Sequence, residues 1–329
     1  MAKPITGIDI GTGELKLVTY SQGRILRTAS WDLPENLVQD GLIPSPDAMG
    51  QVLKSACKEY KLRGGPCALS LPSSAAFFRR LTMPAMTVDQ LKINLPYEFY
   101  DYINGDKGDY VYDYAVLDTI PDEEGAPKEL DLLAAAASKS LLEEYRDMLR
   151  HAGFRLKVAV PEIYAYSSLI KAYEALDPPD EPREYAFLDL GYGGMRLHFF
   201  HGRAYENTRG LENGTRLIDQ AIASELYIDE HLAHSHRIKN HNNVLSLPTC
   251  RQVYTNAATE ILRAVNFYRY NNPASTLDRL YLCGSGAAIP QLEETLAEVL
   301  DLEVGHVSQL MPVCEDADRF AVAYGICLT

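Results

Sequence analysis

Two short segments of this 329-residue chain combine the residue types that hold a phosphate group and its metal ion. In DIGTGELK they are Asp9, Gly11, Thr12, Gly13 and Lys16. A tight glycine turn lets backbone N–H groups approach phosphate oxygens that a Cβ would keep away. A carboxylate such as Asp9 suits a hydrated Mg2+, which keeps several waters and takes one or two carboxylates. Taken alone, the segment reads first as a plain hairpin turn. Asp189, Gly191, Gly193 and Gly194 in DLGYGG repeat the pattern in the second half. Two such turns facing each other make a clamp for a triphosphate, with Asp9 and Asp189 on Mg2+ through water. Gly284, Ser285 and Gly286 follow the apolar run LYLC and precede a helical stretch. Strand, glycine turn and helix is an order in which backbone N–H groups meet a ligand.

The elements that must position these residues are legible as periodicities. Alternation around the break at Gly11 to Gly13 predicts a strand hairpin over 5–20, so the glycines do not open a helix as a Rossmann or P-loop site requires. A helix is expected over 48–61, then a pair of strands, 67–71 and 77–81, around a turn at 72–75. Thr87 and Gln90 stand at capping-box spacing, and Pro96 must kink or end the helix they start. Segments 110–118 and 130–137 read as a β-hairpin, followed by a helix over 140–152 with Ser140 and Glu143 as its capping box and Gly153 as its stop. The acidic stretch with Pro178, Pro179 and Pro182 reads as a linker, with a boundary near Asp180. Beyond it strand, Asp-x-Gly turn, strand, turn and strand recur, then a helix over 215–227: a weak internal duplication. A long helix over 249–270, a strand over 280–283 and a helix over 289–300 complete the reading.

Bulk properties bound the function. The length suits two lobes, with an ordinary 47% apolar and 23% charged residues. A formal charge of −14 argues against nucleic acid or a bare anionic membrane as the main partner. The six cysteines are scattered singly, without CxxC spacing, and read as buried reduced thiols. His231, His234, His236 and His241 lie in a polar segment expected to be an exposed loop instead of a metal cluster. No run approaches the roughly 18 apolar residues of a membrane span, the first residues lack a signal-peptide pattern, and the last carry no basic amphipathic helix. A cytoplasmic protein is expected.

These motifs, in this order, resemble the actin, Hsp70 and sugar-kinase superfamily. The first hairpin corresponds to its phosphate 1 motif, LDLGYGG to phosphate 2 and YLCGSGAAIPQL to its adenosine motif, with connecting helices over 159–170 and in RFAVAYGICL. Within it, GIDIGTGELKLVTY, LKINLPYEFYDYI, DYVYDYAVLD, LLAAAASKSLLEEYRDMLRHAGF and AVPEIYAYSSL follow the PilM family of type IV pilus assembly proteins. The resemblance implies an α/β, actin-like ATPase (RNase H-like) two-lobe fold with an inserted FtsA/PilM-type subdomain. Its segments would be 1–86, first lobe; 87–153, insertion; 154–179, connecting helix; 180–310, second lobe, with a small subdomain near 226–248; and 311–329, returning to the first lobe. It further implies ATP or ADP with Mg2+, lined by the residues above and Gly214, with Glu162 orienting the attacking water. A solvated helix carboxylate is the other reading of Glu162.

Departures from the family pattern favour binding over efficient hydrolysis. Glu14 and Met195 stand where relatives carry hydroxyls, and Asn213 replaces the first glycine of a Gly-Gly pair. The resemblance also implies a groove beside the insertion for the N-terminal cytoplasmic tail of PilN. Tyr97, Tyr100, Tyr112 and Tyr114 are candidate groove residues, with core packing as their alternative. Pilus motor ATPases would be further partners, and the membrane is reached only through partners. An FtsA-like division protein and a small-molecule kinase are the rival functions.

Overall fold

The computed structural model describes residues 3–328; Met1, Ala2 and Thr329, at the outer ends of the first and last expected segments, lie outside them. The chain forms two compact units. One holds the residues up to Ile10, Leu15–Ala165 and those from Val322; the other holds Gly11–Glu14 and Tyr166–Ala321.

The first unit opens with β1 (Ile5–Ile10), β2 (Glu14–Ser21) and β3 (Arg24–Asp32), a meander in which Ile10 stands opposite Leu15. Helix α1 (Pro46–Glu59) follows, with Ser45 as N-cap and Pro46 in the first turn, where a missing N–H costs nothing. Strand β4 (Pro66–Leu71) does not pair with the next strand, as the sequence suggested, but lies parallel to β1. It is covered on both faces, which suits its continuous apolar run. Strand β5 (Ala76–Pro84) instead starts a separate sheet, followed by α2 (Val88–Asn94). Thr87 and Gln90 form the expected capping box on α2, and Pro96 falls in a 3₁₀ turn, Leu95–Phe99, that takes over from it.

Strands β6 (Tyr110–Pro121) and β7 (Pro127–Ser138) form the expected hairpin, with β7 central in the order β5-β7-β6. One face of this sheet, with Leu81, Met83, Leu132, Ala134 and Ala136, packs on Leu91, Leu95 and Phe99. Helix α3 (Lys139–His151) starts before the expected 140. Its cap is Ser138, whose hydroxyl accepts the Leu141 N–H, because β7 ends there in extended backbone; Ser140 lies inside the helix, its hydroxyl donating to Glu144. Gly153 follows at φ 89°, the left-handed conformation that ends helices. Strand β8 (Arg155–Pro161) completes the first sheet, ordered β3-β2-β1-β4-β8. Helix α4 (Ile163–Glu174) therefore begins later than the expected 159, whose residues end β8.

The second unit repeats that topology. Strands β9 (Glu184–Leu190), β10 (Met195–His201) and β11 (Ala204–Leu211) form a meander. Then come α5 (Arg216–Leu226), α6 (Glu230–Lys239), α7 (Pro248–Asn271), β12 (Arg279–Cys283), α8 (Pro290–Val299) and β13 (Glu303–His306). The order β11-β10-β9-β12-β13 matches that of the first sheet strand for strand. The histidine-rich segment, expected to be an exposed loop, is mostly α6: Asp229 caps it, and Arg237 is buried in ion contact with Asp219, which is fully buried on α5. The last helix, α9 (Ala321–Gly325), places Val322 to Gly325 in the first unit. A Cβ on Gly7 of β1 would lie 1.8 Å from the Ala323 carbonyl oxygen, so glycine is required where this helix crosses the strand.

Candidate functional site: a glycine clamp and a sheet-face cavity

In the first unit Asp9 and Lys16 face each other across the β1–β2 register, with Lys16 Nζ 3.4 Å from Asp9 Oδ2. Glu162 follows β8 and is 5% exposed, its N–H donating to the Leu71 carbonyl at 3.1 Å; burial removes the solvated-carboxylate reading. The turn Gly11–Glu14 belongs to the second unit. Gly11 N–H closes it by donating to the Glu14 carbonyl at 2.9 Å. A Cβ on Gly13 would meet the Tyr192 ring at 2.7 Å, and one on Gly193 would meet Thr12 Oγ1 at 3.0 Å.

Around Asp189 the remaining motif glycines converge. A Cβ on Gly191 would strike the Gly194 carbonyl at 2.6 Å, on Gly214 the Tyr192 carbonyl at 2.2 Å, and on Gly284 the Asp189 carboxylate at 2.5 Å. Gly286 is equally close to Leu190 and Thr215. Gly284, at φ 83°, precedes the 3₁₀ turn Ser285–Ala288. The second-unit motif residues thus form one tightly packed cluster that backbone proximity alone explains.

Its charges are already matched. Asp189 lies 3.6 Å from Arg196, and Glu14 Oε1 accepts from Arg319 at 3.1 Å while its Oε2 is buried without a hydrogen-bond partner. Glu14 is thereby turned to Arg319. Met195 is buried in the second core, and Asn213 donates to Glu260 at 3.1 Å. A magnesium nucleotide needs a carboxylate free for metal-bound water and a glycine turn open to phosphate. Within its own unit each carboxylate is paired with a cation, Asp9 with Lys16 and Asp189 with Arg196, and in the second unit an aromatic ring covers Gly13, so neither unit's residues taken by themselves fit that ligand in the arrangement they adopt.

A second feature lies wholly in the first unit. The face of the β5-β7-β6 sheet away from α2 opens on a cavity of about 350 Å³, closed on the other side by β8 and the start of α4. Strand alternation selects its lining: Phe78 of β5, Val111, Asp113 and Ala115 of β6, and Leu133 and Ala135 of β7. Alanines leave this face hollow, and Val111 is 45% exposed. Tyr114 also lines the cavity. Tyr112 instead packs on Phe99 at 5.8 Å, and Tyr97 on the 3₁₀ turn and Tyr100 just after it are exposed and absent from the cavity lining. The alternation of the odd-numbered positions of β6 and β7 is visible in the sequence, but it does not tell which of the two sheet faces is left uncovered.

The fold has solved relatives. Over 98% of this chain and 97% of the other, it superposes on a structure described as the PilM-PilN type IV pilus biogenesis complex, with TM-score 0.79 and 24% identity. The ethanolamine utilization protein EutJ from Carboxydothermus hydrogenoformans matches with TM-score 0.62 and 15% identity, over the whole chain and 90% of its own. MreB 5 of Spiroplasma citri, bound to AMPPNP, matches with TM-score 0.55 and 14% identity, over 99% and 95%. These likenesses establish the actin-like fold. The family model of the type IV pilus assembly protein PilM spans residues 7–318, nearly all of the chain. The protein belongs to the PilM family of actin-like type IV pilus assembly proteins.

Proposed function

We propose that this chain is a scaffold of the type IV pilus assembly platform at the inner face of the cell membrane, where it receives the N-terminal cytoplasmic tail of a PilN-type protein. The observation that carries the reading is the hollow sheet face over Val111, Ala115, Leu133 and Ala135, with its single carboxylate, Asp113. An apolar groove of this size takes one or two anchor side chains of a short peptide. The net charge of −14 suits a tail with basic residues. The solved relative described as a PilM-PilN complex supports a PilN-type partner. Contact with motor ATPases and attachment to the membrane through partners extend the same reading. Every residue that lines the cavity lies in the first unit, so peptide binding without nucleotide is the expected outcome.

Anisotropy of a labelled PilN-type N-terminal peptide, with and without Mg·ATP, tests this. Saturable binding of similar affinity in both conditions is expected. Absence of binding, together with phosphate release when sugars or other alcohols are added to Mg·ATP, would replace the scaffold with a kinase.

A further inference from the structure

We infer that the Tyr192 side chain is a built-in occupant of the glycine clamp, a stopper that a nucleotide must displace before its phosphates reach Gly13. The inference rests on the actin-like reading of the two glycine turns and adds to it a residue that governs access.

The ring is wedged between two walls of the second unit. On one side its Cδ1, Cγ and Cβ would stand 2.7, 2.8 and 3.0 Å from a Cβ on Gly13, so it lies flush against this glycine of the first turn. On the other side it meets the His234 ring of α6 edge-on, at 5.6 Å and 88°. That wall is rigid. His234 Nδ1 lies 2.8 Å from Asp219 Oδ2, and Arg237 Nε donates to Asp219 Oδ1 at 2.5 Å, all anchored on a fully buried carboxylate.

The backbone beneath the ring is fixed too. The Tyr192 carbonyl accepts the Arg216 N–H and the Gly191 carbonyl the Thr215 N–H, each at 3.0 Å. Only rotation about the side-chain bonds can therefore clear the ring from Gly13. Burial, and next the Asp219 charge, push the Tyr192 phenol above its ordinary value, so the stopper stays neutral near pH 7.

Charge balance acts in the same direction. Arg196 is engaged by Asp189, Arg216 by Glu230, Arg237 by Asp219 and Arg319 by Glu14. An incoming phosphate would compete with carboxylates already in place for each of these guanidinium groups.

The test titrates the full chain and its Tyr192→Gly, Tyr192→Ala and Tyr192→Phe variants with a fluorescent ATP analogue and Mg2+, and the PilN-type peptide in parallel. Wild type and Tyr192→Phe, which keeps the ring, are expected to bind nucleotide weakly. Tyr192→Gly and Tyr192→Ala should bind at least about tenfold more tightly, or about 1.4 kcal/mol. Equal affinity in all four, or nucleotide binding by none of them, overturns the stopper. The peptide titration is independent: all four proteins should bind it equally, and failure of wild type there would sink the scaffold reading while leaving the nucleotide result to stand or fall alone.

Discussion

At the scale of single residues, burial decides behaviour that composition hides. His198 is fully buried on β10, its Nδ1 2.8 Å from Thr208 Oγ1 and its Nε2 without a hydrogen-bond partner. Burial first, and then the Arg196 charge, push it down to about 3, with Asp189 opposing. Its folded value lies below its ordinary one, so the unfolded chain binds the proton more readily. Stability from this group is complete above about pH 6.5 and declines as pH falls from there toward 3, by up to about 1.4 kcal/mol per pH unit. Urea midpoints measured between pH 7 and 5 should therefore fall less steeply in His198→Phe than in wild type, whereas parallel slopes would contradict the assignment. Gly214→Ala is expected to cost about 1–3 kcal/mol or more in thermal unfolding, since the added methyl meets main-chain atoms that have no rotamer to escape to. The glycines of the turns could be named from their spacing, although most of the atoms that crowd them come from other segments of the second unit. The role of Tyr192 could not, since Gly13 and His234 meet its ring only through the folded second unit.

Elements were legible where one local signal dominated. The hairpins around Gly11 and Gly193, the Thr87 cap and the long α7 each carry alternation, capping spacing or helical period in their own residues. Two of the readings that failed show the physical reason clearly. Serines occupy both 138 and 140, and either can cap; the extended backbone at the end of β7 chooses Ser138. Ser138→Ala should accordingly lower stability by about 1 kcal/mol, and Ser140→Ala by less than about 0.5 kcal/mol, in matched urea denaturations. Equal losses would return the cap to Ser140. Helix α6 was missed because its buried positions include Ala233 and Arg237, so its inner face is held by an ion pair with α5 instead of an apolar stripe that periodicity detects.

At the scale of the molecule, the duplication sensed in two Asp-x-Gly hairpins extends to whole sheets, each ordered as a three-strand meander followed by two parallel strands. Family and fold were readable because motif order along the chain preserves this architecture. The sheet-face cavity was harder to see, since its walls come from β4, β5, β6, β7, β8, α3 and α4, which sequence separates. Whether this hollow face recognises a PilN-type tail is decided by anisotropy titrations of the labelled tail against wild type, Val111→Arg and Tyr100→Ala. Val111 lines the cavity while half exposed, and Tyr100 is 71% exposed outside its lining, so both changes leave the cores intact. Binding should weaken about tenfold or more for Val111→Arg, about 1.4 kcal/mol, and stay at the wild-type level for Tyr100→Ala. Unchanged affinity in Val111→Arg, or a loss confined to Tyr100→Ala, would place the partner elsewhere on the molecule.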